Sequence, residues 1–210
     1  MLFEVLPQIA LLLILAAFLA GFVDSIAGGG GLITVPALLL AGASPIEALA
    51  TNKLQGTFGA ATATVSNARA GPVRLADQAG MAVISMLSGA AGALVAHLIP
   101  VEALRVVMPV VLVAVALFFA LKPGLSDADR VERLRPGVFA FTAVPLVAAY
   151  DGFFGPGTGS FFMLAFVMLA GFGVLKATAH TKLLNFASNI GSLSVFIFSG
   201  AMWWAVGAAM

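Results

Sequence analysis

The chain alternates long apolar stretches with short polar turns, and most of the apolar stretches are long enough to cross a lipid bilayer. A hydrocarbon core about 30 Å thick needs roughly 20 helical residues. On this basis the pattern predicts an all-α integral membrane protein with the following spans: 6–42, interrupted at 28–31; 46–68; 77–98; 103–121; 137–175, interrupted at 155–159; 177–199; and a last segment beginning near Trp203.

Composition agrees with this reading and excludes several classes of protein. Hydrophobic residues make up 61% of the chain, charged residues 9%, and mean hydropathy is +1.11, which is far from a soluble domain. The net charge of +1 gives no reason to expect a nucleic-acid partner. The chain has no cysteine and only two histidines, so we expect no metal and no cofactor. The apolar start resembles a secretory signal, but its only early charge is Glu4, which favours a retained membrane segment.

Charged residues concentrate in two loops that lie two spans apart. Arg69 and Arg74 flank the first loop, and Lys122, Arg130, Arg133 and Arg135 occupy the second. Both loops therefore fall on the same side of the membrane, and the positive-inside rule makes that side cytoplasmic. Residues 122–136 are predicted to form the main cytoplasmic loop.

The two halves of the chain share one pattern. D-S-I-A-G-G-G-G-L-I-T-V-P is followed by A-T-N-K, and D-G-F-F-G-P-G-T-G-S-F-F is followed by A-H-T-K. Each half thus has an aspartate, a glycine break four residues later, an apolar run and an A-x-x-K motif. This order predicts two homologous repeats, 1–121 and 137–210. The second repeat is expected to be incomplete, lacking counterparts of 77–98 and 103–121.

Glycine breaks inside apolar spans predict a ligand site. Glycine costs about 1 kcal/mol relative to alanine in a helix, so a run of four interrupts the helix. Lipid cannot satisfy the freed backbone groups, and duplicated halves with matching broken spans are typical of transporters. The helices that resume after each break present N–H groups and positive dipole ends, which suit a small anion. Lys53 and Lys182 add positive charge within apolar spans.

Candidate residues for the site come from both repeats. The predicted substrate-binding residues are Gly28, Gly29, Gly30, Gly31, Asn52, Lys53, Gly155, Gly157, Thr158, Gly159, His180, Thr181 and Lys182, with Thr51 and Ser160 as further neutral donors nearby. Asp24 and Asp151 are assigned to proton coupling or to ion pairs with the lysines, and both roles stay open. Two structural alternatives also stay open, namely glycines that serve helix packing and lysines that only form internal ion pairs.

The motifs G-G-G-G-L-I-T-V-P, A-T-N-K-L-Q-G and G-P-G-T-G-S-F resemble those of the TauE/SafE family of membrane permeases, also called the sulfite exporter family. The resemblance covers about residues 8–200. It implies secondary transport of small sulfur-containing anions, such as sulfite or organosulfonates, across the bacterial cytoplasmic membrane. By motif, the glycine breaks with Asn52, Lys53, Thr181 and Lys182 are where the resemblance places the site.

Other functions compete with a carrier. The chain has neither H-E-x-x-H nor G-x-S-x-G, so we expect no enzyme activity. A passive anion channel would bind the anion in the same way but would not alternate its access between the two sides.

The orientation of the repeats depends on whether each broken element enters and leaves on the same side of the membrane, and we favour inverted repeats. Replacing Lys53 or Lys182 by methionine is expected to abolish anion binding and to leave folding nearly intact. The oligomeric state stays open.

Overall fold

The computed structural model describes residues 4–70, 75–121, 127 and 131–210. Every regular element in these residues is helical, which confirms the predicted all-α class. Arg74 and most of the predicted cytoplasmic loop lie outside the described residues. The helices are α1 Pro7–Ala27, α2 Gly31–Leu40, α3 Pro45–Ala70, α4 Ala79–Leu98, α5 Val101–Leu121, α6 Pro136–Phe153, α7 Thr158–Met168, α8 Val174–Phe198 and α9 Trp204–Ala209, with a 3₁₀ turn Leu75–Gln78 before α4.

The predicted spans correspond to these helices, with the main differences in the second half of the chain. The stretch 137–175 was expected to continue as helix after its break, but α7 ends at Met168. The chain turns there because Gly171 takes a positive φ of 76°, a conformation that glycine adopts without strain. Helix α8 then begins at Val174, three residues earlier than predicted.

Among the described residues, four helices are long and apolar enough to cross a membrane, namely α1, α4 with its preceding turn, α5 and α6. The chain is therefore a multi-pass membrane protein. Helices α3 and α8 are longer and more polar, and each carries one of the two lysines of the A-x-x-K motifs. Polar side chains such as Lys53 and Lys182 are buried, whereas large apolar side chains such as Phe141 are exposed on the outside, where lipid would cover them.

Contacts between helix ends define two sides of the helical assembly. The Glu4 carboxylate accepts hydrogen bonds from the N–H groups of Ala205 and Val206 at 2.9 and 3.1 Å. Thr51, near the start of α3, accepts one from the N–H of Trp203 at 3.1 Å. Helices α1, α3 and α9 therefore begin on one side, which we call the Glu4 side, and α8 ends there.

The opposite side is defined by the start of α8, because a helix of 25 residues is about 37 Å long. The N–H groups of Arg133 and Leu134 donate to the Leu169 carbonyl at 3.0 and 2.9 Å, so α6 begins where α7 ends. We call this the Arg133 side. The first broken element, α1–α2, therefore begins and ends on the Glu4 side, and the second, α6–α7, begins and ends on the Arg133 side.

Small residues bring α4 very close to α6 and α8. A Cβ atom on Gly92 would lie 2.0 Å from the Ala149 carbonyl oxygen, and one on Gly191 would lie 1.9 Å from that of Met86. Such contacts allow van der Waals packing where lipid offers no hydrophobic driving force. Since α4 belongs to the first half and α6 and α8 to the second, the predicted repeats share one packed interior.

Candidate functional site

The first break ends α1 at Ala27 and starts α2 at Gly31. Gly28 adopts a left-handed conformation with φ 74°, and its N–H donates to the Asp24 carbonyl at 3.1 Å. The Asp24 carboxylate turns back and accepts a hydrogen bond from the N–H of Gly30 at 3.2 Å. A carboxylate of the protein thus occupies the positive end of α2, where an anion was expected.

The second break contains two left-handed glycines, Gly155 with φ 93° and Gly157 with φ 84°. The Tyr150 hydroxyl donates to the Pro156 carbonyl at 2.6 Å, and the Thr158 hydroxyl donates to the Gly155 carbonyl at 2.6 Å. These bonds satisfy backbone carbonyls that the interrupted helix has freed. Helix α7 resumes at Thr158, two residues before the predicted restart near Ser160.

The two breaks touch each other inside the assembly. The N–H of Ser160 donates to the Gly28 carbonyl at 3.1 Å. A Cβ atom on Gly28 would lie 2.6 Å from backbone atoms of Gly159, so only glycine permits this approach. Gly31 lies similarly close to Pro156. These glycines therefore have two structural roles: they interrupt the helices, and they allow the two breaks to pack against each other.

Lys53 forms a buried salt bridge with the opposite half of the chain. Its Nζ lies 2.7 Å from Asp151 Oδ1, and the two side chains are 1% and 2% exposed. The Ser188 hydroxyl donates to the other carboxylate oxygen, Oδ2, at 2.7 Å. Both charges are thus compensated without any bound ligand.

Lys182 occupies the corresponding position in the second half but bonds differently. Each lysine lies eight residues after the first residue of its helix. The Lys182 Nζ donates to the main-chain carbonyl of Asp24 at 2.6 Å rather than to its carboxylate. Lys182 is buried, whereas the Asp24 side chain is half-buried.

A cavity of about 770 Å³ lies against both breaks and the Lys53–Asp151 pair. From the glycine tracts it extends along α3 between Asn52 and Ser66, beside α1. The predicted site residues in its wall are Asp24, Gly28, Gly30, Gly31, Asn52, Lys53, Asp151, Gly155, Gly157, Thr158 and Gly159.

The sequence model of the family "Sulfite exporter TauE/SafE" matches residues 13–210 of the chain. The chain belongs to the TauE/SafE family. It is 58% identical over 198 residues to "Probable membrane transporter protein ORF9" of Sinorhizobium sp, covering 94% of this chain and 76% of that protein. It is 47% identical over 209 residues to "Probable membrane transporter protein YfcA" of Escherichia coli K12, covering 100% and 78%. A "Probable membrane transporter protein" of Haemophilus influenzae is 43% identical over 199 residues, covering 95% and 78%. No solved structure matches the chain.

Family membership and these names indicate a membrane transporter rather than an enzyme. The resemblance noted from the glycine and A-x-x-K motifs is thereby confirmed, and the match extends it to the last residue, Met210. The names of these relatives state no substrate.

Four of the predicted substrate-binding residues lie outside the cavity wall. His180 contacts Gln78 and packs against the rings of Phe166 and Phe172. Thr181 is buried, and its hydroxyl has no hydrogen-bond partner among the described residues. Lys182 is held by Asp24, and Gly29 is buried beside Leu32. The A-H-T-K motif of this TauE/SafE protein therefore contributes less to the cavity than its A-T-N-K motif.

Several cavity residues were not predicted. Asn185 and Asn189 line it from α8, and Gln55 and Gly56 line it from α3. A signal for the asparagines was present, since Asn185 and Asn189 follow Lys182 at spacings of three and seven and so lie on one face of α8. Within residues 4–70, 75–121, 127 and 131–210, no three histidine, aspartate or glutamate side chains cluster to hold a metal ion.

Proposed function

We propose that this TauE/SafE family member is a secondary transporter that carries small sulfur-containing anions, such as sulfite or an organosulfonate, across the bacterial cytoplasmic membrane. One observation carries the proposal: two broken helices from opposite sides meet at a cavity that holds a lysine and neutral donors. Paired broken helices around a central site are typical of carriers that alternate their access between two sides.

The charges of the site favour coupling to protons. Two lysines and two aspartates contribute to the region around the breaks, and Lys53 is already neutralised by Asp151. An entering anion would therefore add an uncompensated negative charge to a buried region, which is costly. A proton taken up by Asp151 or Asp24 restores neutrality, so an anion and a proton bind best together.

The arrangement of the helices supports inverted repeats and an access direction. The two broken elements enter from opposite sides, and three long helices, α3 to α5, separate them, as inverted repeats require. The cavity runs along α3 toward the end that carries Arg69, and Arg133 and Arg135 lie on that same side. The positive-inside rule makes this side cytoplasmic, so we assign this conformation an opening toward the cytoplasm.

Reconstitution into liposomes tests the proposal. Purified protein should take up sulfite with saturable kinetics, and an imposed proton gradient should drive accumulation that a protonophore abolishes. Empty liposomes are the control. Uptake that neither saturates nor responds to the gradient would indicate a channel instead, and the absence of flux for sulfite, sulfate, methanesulfonate and acetate would overturn the proposal.

A further inference from the structure

Two buried asparagines in the cavity wall have side-chain nitrogen atoms with no hydrogen-bond partner in the described part of the chain. Asn52 on α3 and Asn185 on α8 are 7% and 6% exposed, and both line the cavity. Neither side-chain nitrogen donates a hydrogen bond to any residue that the structure describes. Because both residues line the same cavity, their N–H₂ groups are free to donate to an acceptor that enters it from outside.

The oxygen atom of each carboxamide is already engaged, which fixes the direction of the nitrogen. Asn185 Oδ1 accepts a hydrogen bond from Asn189 Nδ2 at 3.3 Å, and Asn189 Nδ2 also donates to the Asn185 carbonyl at 2.7 Å. Asn52 Oδ1 accepts a hydrogen bond from the Thr34 hydroxyl. Asn52 Nδ2 lies beside Gly31, at the first break. Both carboxamides are therefore oriented with their N–H₂ groups available.

The charged groups of the cavity are less available than these amides. Lys53 is paired with Asp151, and the Asp24 carboxylate already occupies the N–H of Gly30. Neutral N–H donors can bind an anion without displacing any of these partners. Their geometry suits an acceptor with two or more oxygen atoms, because the donors come from two helices in different halves of the chain.

We propose that Asn185 and Asn52 donate N–H hydrogen bonds to oxygen atoms of the transported anion, and that Asn189 is a positioning residue that orients Asn185. This inference rests on the proposed function. It makes the site selective for oxyanions, such as sulfite and sulfonates, over halides, which offer a single spherical acceptor.

Binding to the purified full chain in lipid nanodiscs tests the inference, with sulfite, methanesulfonate and chloride as probes. Asn185→Leu keeps a similar volume and removes the donors. It should weaken sulfite and methanesulfonate binding on the order of 10- to 100-fold, the effect of losing a hydrogen bond to a charged group. Chloride binding should change much less. Asn67→Leu is the matched control, since Asn67 donates to the Ala63 carbonyl and lies outside the cavity wall.

Anion binding by Asn189 variants tests the positioning role of this residue separately. Asn189→Leu should weaken oxyanion binding about 3- to 10-fold by freeing the Asn185 carboxamide, and it should add nothing in an Asn185→Leu background. A merely structural role would instead give additive losses for all three anions. If Asn185→Leu does not fold, Asn185→Asp keeps the acceptor for Asn189 and should abolish oxyanion binding.

The outcomes separate the two proposals. Wild-type protein that binds none of the anions overturns the proposed function and this inference with it. Wild-type protein that binds oxyanions, together with an Asn185 variant that binds them equally well, overturns this inference alone.

Discussion

The two lysine–aspartate pairs occupy matching positions in the two halves of the chain, yet they are bonded differently. Lys53 contacts the Asp151 carboxylate in a fully buried salt bridge. Lys182 donates a hydrogen bond to the Asp24 main-chain carbonyl, and the Asp24 carboxylate faces the cavity and the start of α2. We call Lys53–Asp151, which forms the salt bridge, the closed pair, and Lys182–Asp24, which is joined through the Asp24 main chain, the open pair. Under the proposed alternating-access function with inverted repeats, we expect the opposite state to exchange the two arrangements.

Substitution at the contact between the two helix breaks should have the largest effect on folding. Gly28→Ala should prevent stable folding, because its Cβ would lie 2.6 Å from Gly159 backbone atoms and its φ of 74° is strained for alanine. Gly59→Ala is the control, since no atom lies within 4 Å of the added Cβ and α3 should gain up to about 1 kcal/mol. Thermal unfolding in detergent measures both. A Gly28→Ala protein as stable as wild type would disprove the contact.

Breaking the closed pair should have the next largest effect. Lys53→Met leaves the buried Asp151 carboxylate uncompensated and should lower the free energy of unfolding by about 3–5 kcal/mol. This prediction differs from the expectation from sequence that the substitution would leave folding nearly intact, because the salt bridge with Asp151 was not foreseen as fully buried. The double variant Lys53→Met with Asp151→Leu should recover most of the loss, because it removes both buried charges. Unfolding in mixed micelles of increasing SDS content would show this recovery, and additive losses would contradict it.

Breaking the open pair should cost less. Lys182→Met removes one hydrogen bond to the Asp24 carbonyl, which still accepts the N–H of Gly28 at 3.1 Å. The expected loss of unfolding free energy is about 1.5 kcal/mol, the lower end for a hydrogen bond to a charged group. The same unfolding assay compares it with Lys53→Met. Equal losses for the two lysines would mean that the pairs are equivalent in solution.

Removing the charge of the open aspartate should have the smallest effect on stability. Asp24→Asn keeps an oxygen for the N–H of Gly30 and loses the negative charge at the start of α2, an effect of about 0.3–1 kcal/mol. It also removes the electrostatic support of the nearby Lys182 ammonium, whose hydrogen bond to the Asp24 carbonyl remains. Transport should respond more strongly than stability if Asp24 takes up the coupled proton. Proton-driven sulfite accumulation by Asp24→Asn liposomes, set beside the unfolding data, would show whether the open carboxylate has a role beyond capping.

The helices and their breaks were predictable because they follow from local chemistry. Stretches of about 20 apolar residues form membrane helices in almost any context, and glycine runs interrupt them. The end of α7 at Met168 was missed because the sequence there stays apolar, and only the positive φ of Gly171 marks the turn. The wall of the cavity was predicted in part, from residues adjacent to the motifs. Asn185 and Asn189 were missed because they lie three and seven residues beyond the lysine of the A-H-T-K motif, outside the pattern that the two halves share.

The sequence by itself determined the class of the protein, the positions of both breaks and the presence of two buried lysines, because each depends on composition and spacing along one segment. Only the tertiary structure decided which groups meet. It placed Gly28 against Gly159, paired Lys53 with Asp151 and left His180 away from the cavity. The physical reason is that helices from opposite halves pack through small residues far apart in sequence, and partner choice depends on their relative depth and rotation, which no local pattern encodes.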